Sequence, residues 1–185
     1  MKKLFINTLL VAFCVFALSG GARTKDEGEG TRLAAKLTGY QETPLTLASP
    51  ATGEFTATVS EDNQSVSFKL TYAGFETNVL VAHIHLGAPA TTGGVTVFFC
   101  GGGGRPPCPS PSGTVTGTFT AANVGAVPAQ GLAAGDLPKL LEAIRAGATY
   151  ANIHTTAHPG GEIRGLIKVL EDDNRERRER SARDN

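Results

Sequence analysis

Two neighbouring segments of the chain alternate apolar and polar residues with a period of two. In GEFTATVS the apolar positions are Phe55, Ala57 and Val59, and in SVSFKLTY they are Val66, Phe68, Leu70 and Tyr72. A strand turns successive side chains to opposite faces, so this pattern commits both segments to a sheet with one buried face. The polar EDNQ between them reads as the turn of a hairpin. Further strands are expected at AAKLTGY, NVLVAHIHL, GVTVFF, GTVTGTFT, YANIHT and EIRGLIKVL. Clusters of Gly, Pro and Ser interrupt them at about the spacing of an all-β sandwich or barrel.

One segment, GDLPKLLEAIRAGATY, departs from that rhythm. Asp136 is placed to cap a helix, and Pro138 sits in the first turn, where a missing N–H does no harm. Leu137, Leu140, Leu141 and Ile144 share a helical face, and Gly147 is the stop. A single short helix packed across one end of the sheets is expected.

The two ends of the chain differ from this body. MKK, then LFINTLLVAFCVFAL, then SGGA follow the charged, apolar and small-residue order of a signal peptide, expected to be removed near Ala22. The apolar run is about 15 residues, short of the roughly 20 that span a bilayer, and nothing later is apolar enough to span. Cys14 follows the bulky Phe13, which argues against a lipid attachment site there. Residues 23–32 read as a polar linker and 33–170 as one domain. The final fifteen residues, EDDNRERRERSARDN, hold six acids and five arginines, a solvated tail or helix extension suited at most to docking on a charged surface. Removal of the leader leaves Cys100 and Cys108, an even pair in an oxidising compartment, expected to form a disulfide across GGGGRPP. On the chain-entropy model so short a loop yields about 2 to 3 kcal/mol. The expected location is periplasmic or secreted.

From Arg23 to Leu170 ten Lys and Arg stand against eleven Asp and Glu. The basic residues are scattered, which excludes the clustered basic face a nucleic-acid binder needs. Gly-x-Ser-x-Gly is absent, so a serine hydrolase of that pattern is excluded as well.

Chemistry is concentrated in the histidines. The chain has four, and His83 and His85 stand two apart in an expected strand, so they project on one face. The segment AHIHLGAPATTGGVTV has a near-repeat in ANIHTTAHPGGEIRGL, which sets His154 where His85 stands and Asn152 where His83 stands. If the two strands are neighbours, three imidazoles converge, a ligand set suited to copper and then zinc that leaves a coordination position open. The alternative is a hydrogen-bonded structural role in a core, with the ring N–H groups held by backbone carbonyls or by Asn152, Thr155 and Glu162. His158, beside Pro159 in a loop, has the weakest claim to a site. Gly93-Gly94 and Gly160-Gly161 are expected to supply positive φ in the turns after the histidine strands.

The stretches LTGYQETP, PATGEFTATVS, AHIHLGAP and YANIHTTAHPGGEIRGLI, in that order, together resemble the CHRD domain, named after its occurrence in chordin. The resemblance implies an immunoglobulin-like or Greek-key all-β fold, found in exported bacterial proteins and in an extracellular regulator of growth factors, and implies little about activity. It maps the family's histidines onto His83, His85 and His154, and the acid and base of its closing motif onto Glu162 and Arg164. The Cys100 to Cys108 loop looks like an insertion, and His158 stands where the family tolerates other residues. A fainter resemblance is to copper-zinc superoxide dismutase, which also carries His-x-His on a strand and an arginine in a Gly-rich closing stretch. It implies copper on the three histidines and Arg164 attracting the anion. The bridging histidine and aspartate of a zinc site are not evident. Arg164 has an alternative in a surface ion pair with Glu162, two residues away.

Two functions are therefore carried forward. The first is an extracytoplasmic binding or structural module that takes another protein, or a second copy, as its partner. The second is a copper or zinc protein with a redox role.

Overall fold

The computed structural model describes residues 30–170. The expected signal peptide, Cys14, most of the polar linker and the charged tail lie outside them.

Nine strands form among the described residues: β1 (Arg32–Thr38), β2 (Thr52–Val59), β3 (Ser65–Ala73), β4 (Val79–Leu86), β5 (Gly94–Cys100), β6 (Gly113–Thr120), β7 (Thr149–Thr155), β8 (Ile163–Leu166) and β9 (Lys168–Leu170). The alternating segments pair as expected, Phe55 opposite Leu70 and Ala57 opposite Phe68, with the polar EDNQ at the turn. Every pairing among the described strands is antiparallel, in the order β5-β4-β7-β8-β1-β2-β3-β6, with β9 also on β1. The edge strands β5 and β6 approach each other, so the sheet curls into a nearly closed barrel. The all-β class with one helix is correct.

Closure is carried by aromatic packing. Phe99 of β5 reaches across the interior, its ring 5.2 Å from that of Phe55 and 4.8 Å from that of Phe68. Phe68 in turn lies 6.3 Å from Phe119 of β6. These four rings tie the two free edges to the middle of the sheet, where hydrogen bonds do not. Cys100 at the end of β5 is disulfide-bonded to Cys108, and the following loop is anchored by Tyr72 Oη donating to the Pro109 carbonyl at 2.7 Å.

Helix α1 (Leu137–Arg145) forms as the sequence requires. Asp136 accepts from the Lys139 N–H at 3.1 Å, and Leu137, Leu140, Leu141 and Ile144 are buried in the main core. The expected final strand EIRGLIKVL is divided: Ile167 turns inward, and its N–H bonds the Thr149 carbonyl at 3.0 Å, which separates β8 from β9. No helix among the described residues is long and apolar enough to cross a membrane.

The packing of Phe99 generates a stability prediction. Phe99→Ala should lower unfolding free energy by about 3 to 5 kcal/mol, the cost of losing a fully buried phenyl ring and leaving a cavity. Phe99→Leu should cost clearly less, and urea denaturation of the two variants makes the comparison.

Candidate metal centre

Strands β4 and β7 are direct neighbours, paired with His83 opposite Asn152, His85 opposite Tyr150 and Val81 opposite His154. Directly opposed residues of an antiparallel pair point the same way, so all of these side chains share one face. The other face carries Ala82, Ile84, Ala151 and Ile153, each 0 % exposed in the barrel core. The histidines therefore stand on the outside of the barrel and not among the core side chains. They are buried all the same, at 4 %, 9 % and 8 % exposure for His83, His85 and His154. Loops cover them.

Irregular pairing shapes this face. The β4–β5 register shifts between Ala82 and His83 and again between Ile84 and His85, and such bulges re-aim side chains beside functional sites. Ring centroids are 4.5 Å apart for His83 and His85, and 4.6 Å for His83 and His154. One ring nitrogen of each of the three lies within 4.8 Å of one from each of the others. Ligand nitrogens about 2.0 to 2.1 Å from a tetrahedral ion are roughly 3.3 Å apart, so a shift of about 1 Å or less per ring would bring all three to one ion.

The hydrogen bonds fix which nitrogens face inward. His85 Nδ1 lies 2.8 Å from the Gly93 carbonyl and His154 Nδ1 lies 2.9 Å from the Pro159 carbonyl. A carbonyl only accepts, so each Nδ1 bears the proton and each Nε2 keeps a bare lone pair. Those two Nε2 atoms, with His83 Nδ1, are buried and have no hydrogen-bond partner. Backbone carbonyls that orient a ligating ring are the usual outer support of a metal-bound histidine. Burial pushes His83 down to about 3 and His85 down to about 4, with the neighbouring rings adding to both, and burial also lowers His154. All three are neutral at pH 7, the form that ligates. A buried polar nitrogen without a partner costs about 1 to 3 kcal/mol, and an ion held among the three rings would relieve that cost.

The other sequence candidates are placed as follows. Asn152, Thr155 and Glu162 do not bond the rings of the histidine cluster: Asn152 Nδ2 donates to Glu42 Oε1 at 2.6 Å, and Thr155 Oγ1 donates to Glu162 Oε2 at 2.5 Å. Glu162 also accepts from Ser49 Oγ at 2.7 Å, which makes it a structural strut between two loops. Arg164 makes no surface ion pair with it. Both are buried, and the Arg164 guanidinium lies 3.7 Å over the Tyr150 ring and donates to Thr43 Oγ1. His158 is outside the cluster, and its carbonyl accepts the Gly161 N–H at 3.0 Å within the turn.

Of the four turn glycines only Gly161 has positive φ, at 126°, and a Cβ there would come 3.0 Å from both Asn152 Oδ1 and Glu42 Oε2. Gly93 and Gly94 do not have positive φ; they are needed for close approach, since a Cβ on Gly93 would lie 1.7 Å from the Leu86 carbonyl oxygen. The disulfide-bridged loop has a similar part. Gly102 and Gly103 lie flat against Phe98, where a Cβ on either would come 2.6 Å from the ring, and Phe98 meets His83 edge-on at 5.3 Å.

Sequence reasoning missed Phe98, Tyr150 and Glu42. Tyr150 stacks on His85 at 4.7 Å with an interplanar angle of 13°. Its signal was available: it stands four residues before His154 in one strand, and so on the same face.

A family model for the CHRD domain matches residues 33–167, while no curated protein and no solved structure matches the chain. The match covers more than half of the chain and includes all three clustered histidines, so the protein belongs to the CHRD domain family.

Proposed function

We propose that this CHRD domain is an exported metal-binding module that holds one transition-metal ion, copper ahead of zinc, on His83, His85 and His154. The observation that carries the reading is the set of three buried ring nitrogens without hydrogen-bond partners, two of them aimed inward by carbonyls on the outer nitrogen. Three neutral imidazoles suit copper and zinc, and the absence of a carboxylate or thiolate in the set disfavours harder and softer ions. Copper would supply one-electron chemistry. This chain's own groups would orient the ligand rings through Gly93 and Pro159 and limit water through Phe98 and the loops. The superoxide role belongs to the same reading, because Arg164 stands one ring away from His85. Export is supported by the Cys100–Cys108 disulfide, which persists in oxidising compartments.

A protein-docking role draws less support from the surface. The large apolar side chains exposed among the described residues, Tyr40, Leu45, Leu80 and Leu170, are spread over three separate segments.

Titration of chelator-treated protein with copper and with zinc should show one equivalent bound and a Tm that rises with free metal, as any native-state ligand requires. The His83→Ala, His85→Ala, His154→Ala triple variant should lose that equivalent while keeping its β-sheet circular dichroism. A wild type that takes up neither metal sinks the proposal. Copper-loaded protein without superoxide-dismuting activity removes the redox role alone.

Acid dependence gives a second check. The histidines have folded pKa values below the usual 6.5, so the unfolded chain binds more protons as the pH drops. Their contribution is complete above about 6.5 and is lost progressively as the pH falls toward 4. Glu42, raised to about 6 by burial, acts in the opposite sense between 4.5 and 6, but it is one group against three. The metal-free Tm should therefore fall on acidification from pH 7 to 4. Metal affinity should fall much less from pH 7 to 5 than three ordinary imidazoles would allow, because folded His83 and His85 have no protons to release there. An affinity that drops steeply below pH 6.5 would show solvent-exposed ligands instead.

A further inference from the structure

Next to the histidine face lies a buried arginine that makes no ion-pair contact, its charge reaching the Glu42 carboxylate only across a longer gap. Arg164 is 4 % exposed, and no carboxylate lies within ion-pair distance of it among the described residues. A charge withdrawn from water is costly unless its donors are paired, so the remaining donors of Arg164 are informative. Nη1 donates to Thr43 Oγ1 and to the Thr91 carbonyl, the latter at 2.9 Å. Nε and Nη2 have no acceptor among the described residues, and neither is sealed inside the protein. Together they form the side edge of the guanidinium, two parallel N–H groups spaced to match the two oxygens of a carboxylate.

That residue lines a cavity of about 730 Å³, within the range of small-molecule sites. Thr43 and Thr92 add polar groups, whereas Tyr40, Pro44 and Pro89 line it with apolar surface. Tyr40 is 70 % exposed, an aromatic ring in water on the wall of the same cavity. Glu42 is the one acid in the lining, and its Oε1 is already engaged by Asn152. The cavity thus offers a fork for an anion at one place and a flat apolar surface at another.

We propose that this cavity binds a carboxylate carried on an apolar body, the Nε and Nη2 edge of Arg164 holding the carboxylate and Tyr40 and Pro44 contacting the body. A free organic acid and the C-terminus of a peptide chain share this chemistry.

The test uses the full chain freed of metal by chelation, titrated with benzoate and, as an uncharged isostere, benzamide, and followed by calorimetry and Tm. Benzoate should bind saturably and benzamide at least tenfold more weakly. Arg164→Lys keeps the charge but loses the fork, and should weaken benzoate at least tenfold. Tyr40→Ala alters only an exposed ring, and should weaken it severalfold in a protein with wild-type Tm. An acetylated dipeptide ending in phenylalanine separates the sources: tighter binding than benzoate, lost on C-terminal amidation, assigns a chain terminus, and weaker binding assigns a free acid. Absence of saturable binding by either acid, equal binding of benzoate and benzamide, or unchanged affinity in both variants overturns the proposal. Because no metal is present, failure of the histidine centre to bind an ion leaves this result unaffected.

Discussion

The pairing of β4 with β7, with His83 opposite Asn152, is the constraint on which the rest of the site depends. It gives both strands two buried faces with different duties. Ala82, Ile84, Ala151 and Ile153 close the barrel on one side, while His83, His85, Tyr150 and His154 occupy the other. A slip of one residue would send every histidine inward and every core residue outward, since the side-chain period is two. Site and core are therefore held in register by the same hydrogen bonds, and a slip that damaged one would damage the other.

The outer face of a barrel is ordinarily wet, and here loops dry it. The turn after β4 brings the Gly93 carbonyl to His85, and the turn after β7 brings the Pro159 carbonyl to His154. Each turn thus covers the ring at the end of its own strand and orients it by the same bond. The third ring, His83, is backed by Phe98, over which the disulfide-bridged glycines lie. Side chains on Gly102 or Gly103 would collide with the ring, so the lack of side chains at these two positions and the depth of His83 are linked. The bridge then has a local purpose beyond stability, since it holds a side-chain-free segment over the aromatic wall of the site.

What the sequence made legible follows from what is local. Strands β2 and β3, the capped helix with its four buried residues, and the disulfide were readable because periodicity, capping and cysteine parity are properties of short segments. The near-repeat around Ile84-His85 and Ile153-His154 was legible too, and it turned out to reflect two strands paired with each other. The side of the sheet was not. In β4 both faces are buried, so the two histidines that mark the outer face of VAHIHL read equally well as core residues. Tyr150 and Glu42 were overlooked because each acts through a long-range neighbour, His85 in one case and Asn152 in the other.

Those long-range neighbours also join the two candidate sites. Strand β7 lies between β4 and β8, so Tyr150 receives His85 from one side and Arg164 from the other. The ring is at once a stacking partner for a histidine in the cluster and a cation–π partner for the guanidinium, contacts worth about 0.5 to 2 kcal/mol each. Asn152, two residues on, ties the same strand to Glu42 in the cavity wall. A guanidinium that moved to grip an anion would shift on the Tyr150 face, and the displacement would pass directly to the ring against His85. The geometry thus joins the cavity arginine and a histidine of the cluster through one tyrosine. Two sites built this way should influence each other reciprocally, because any preference of a bound anion for one position of Tyr150 is equally a preference exerted on His85.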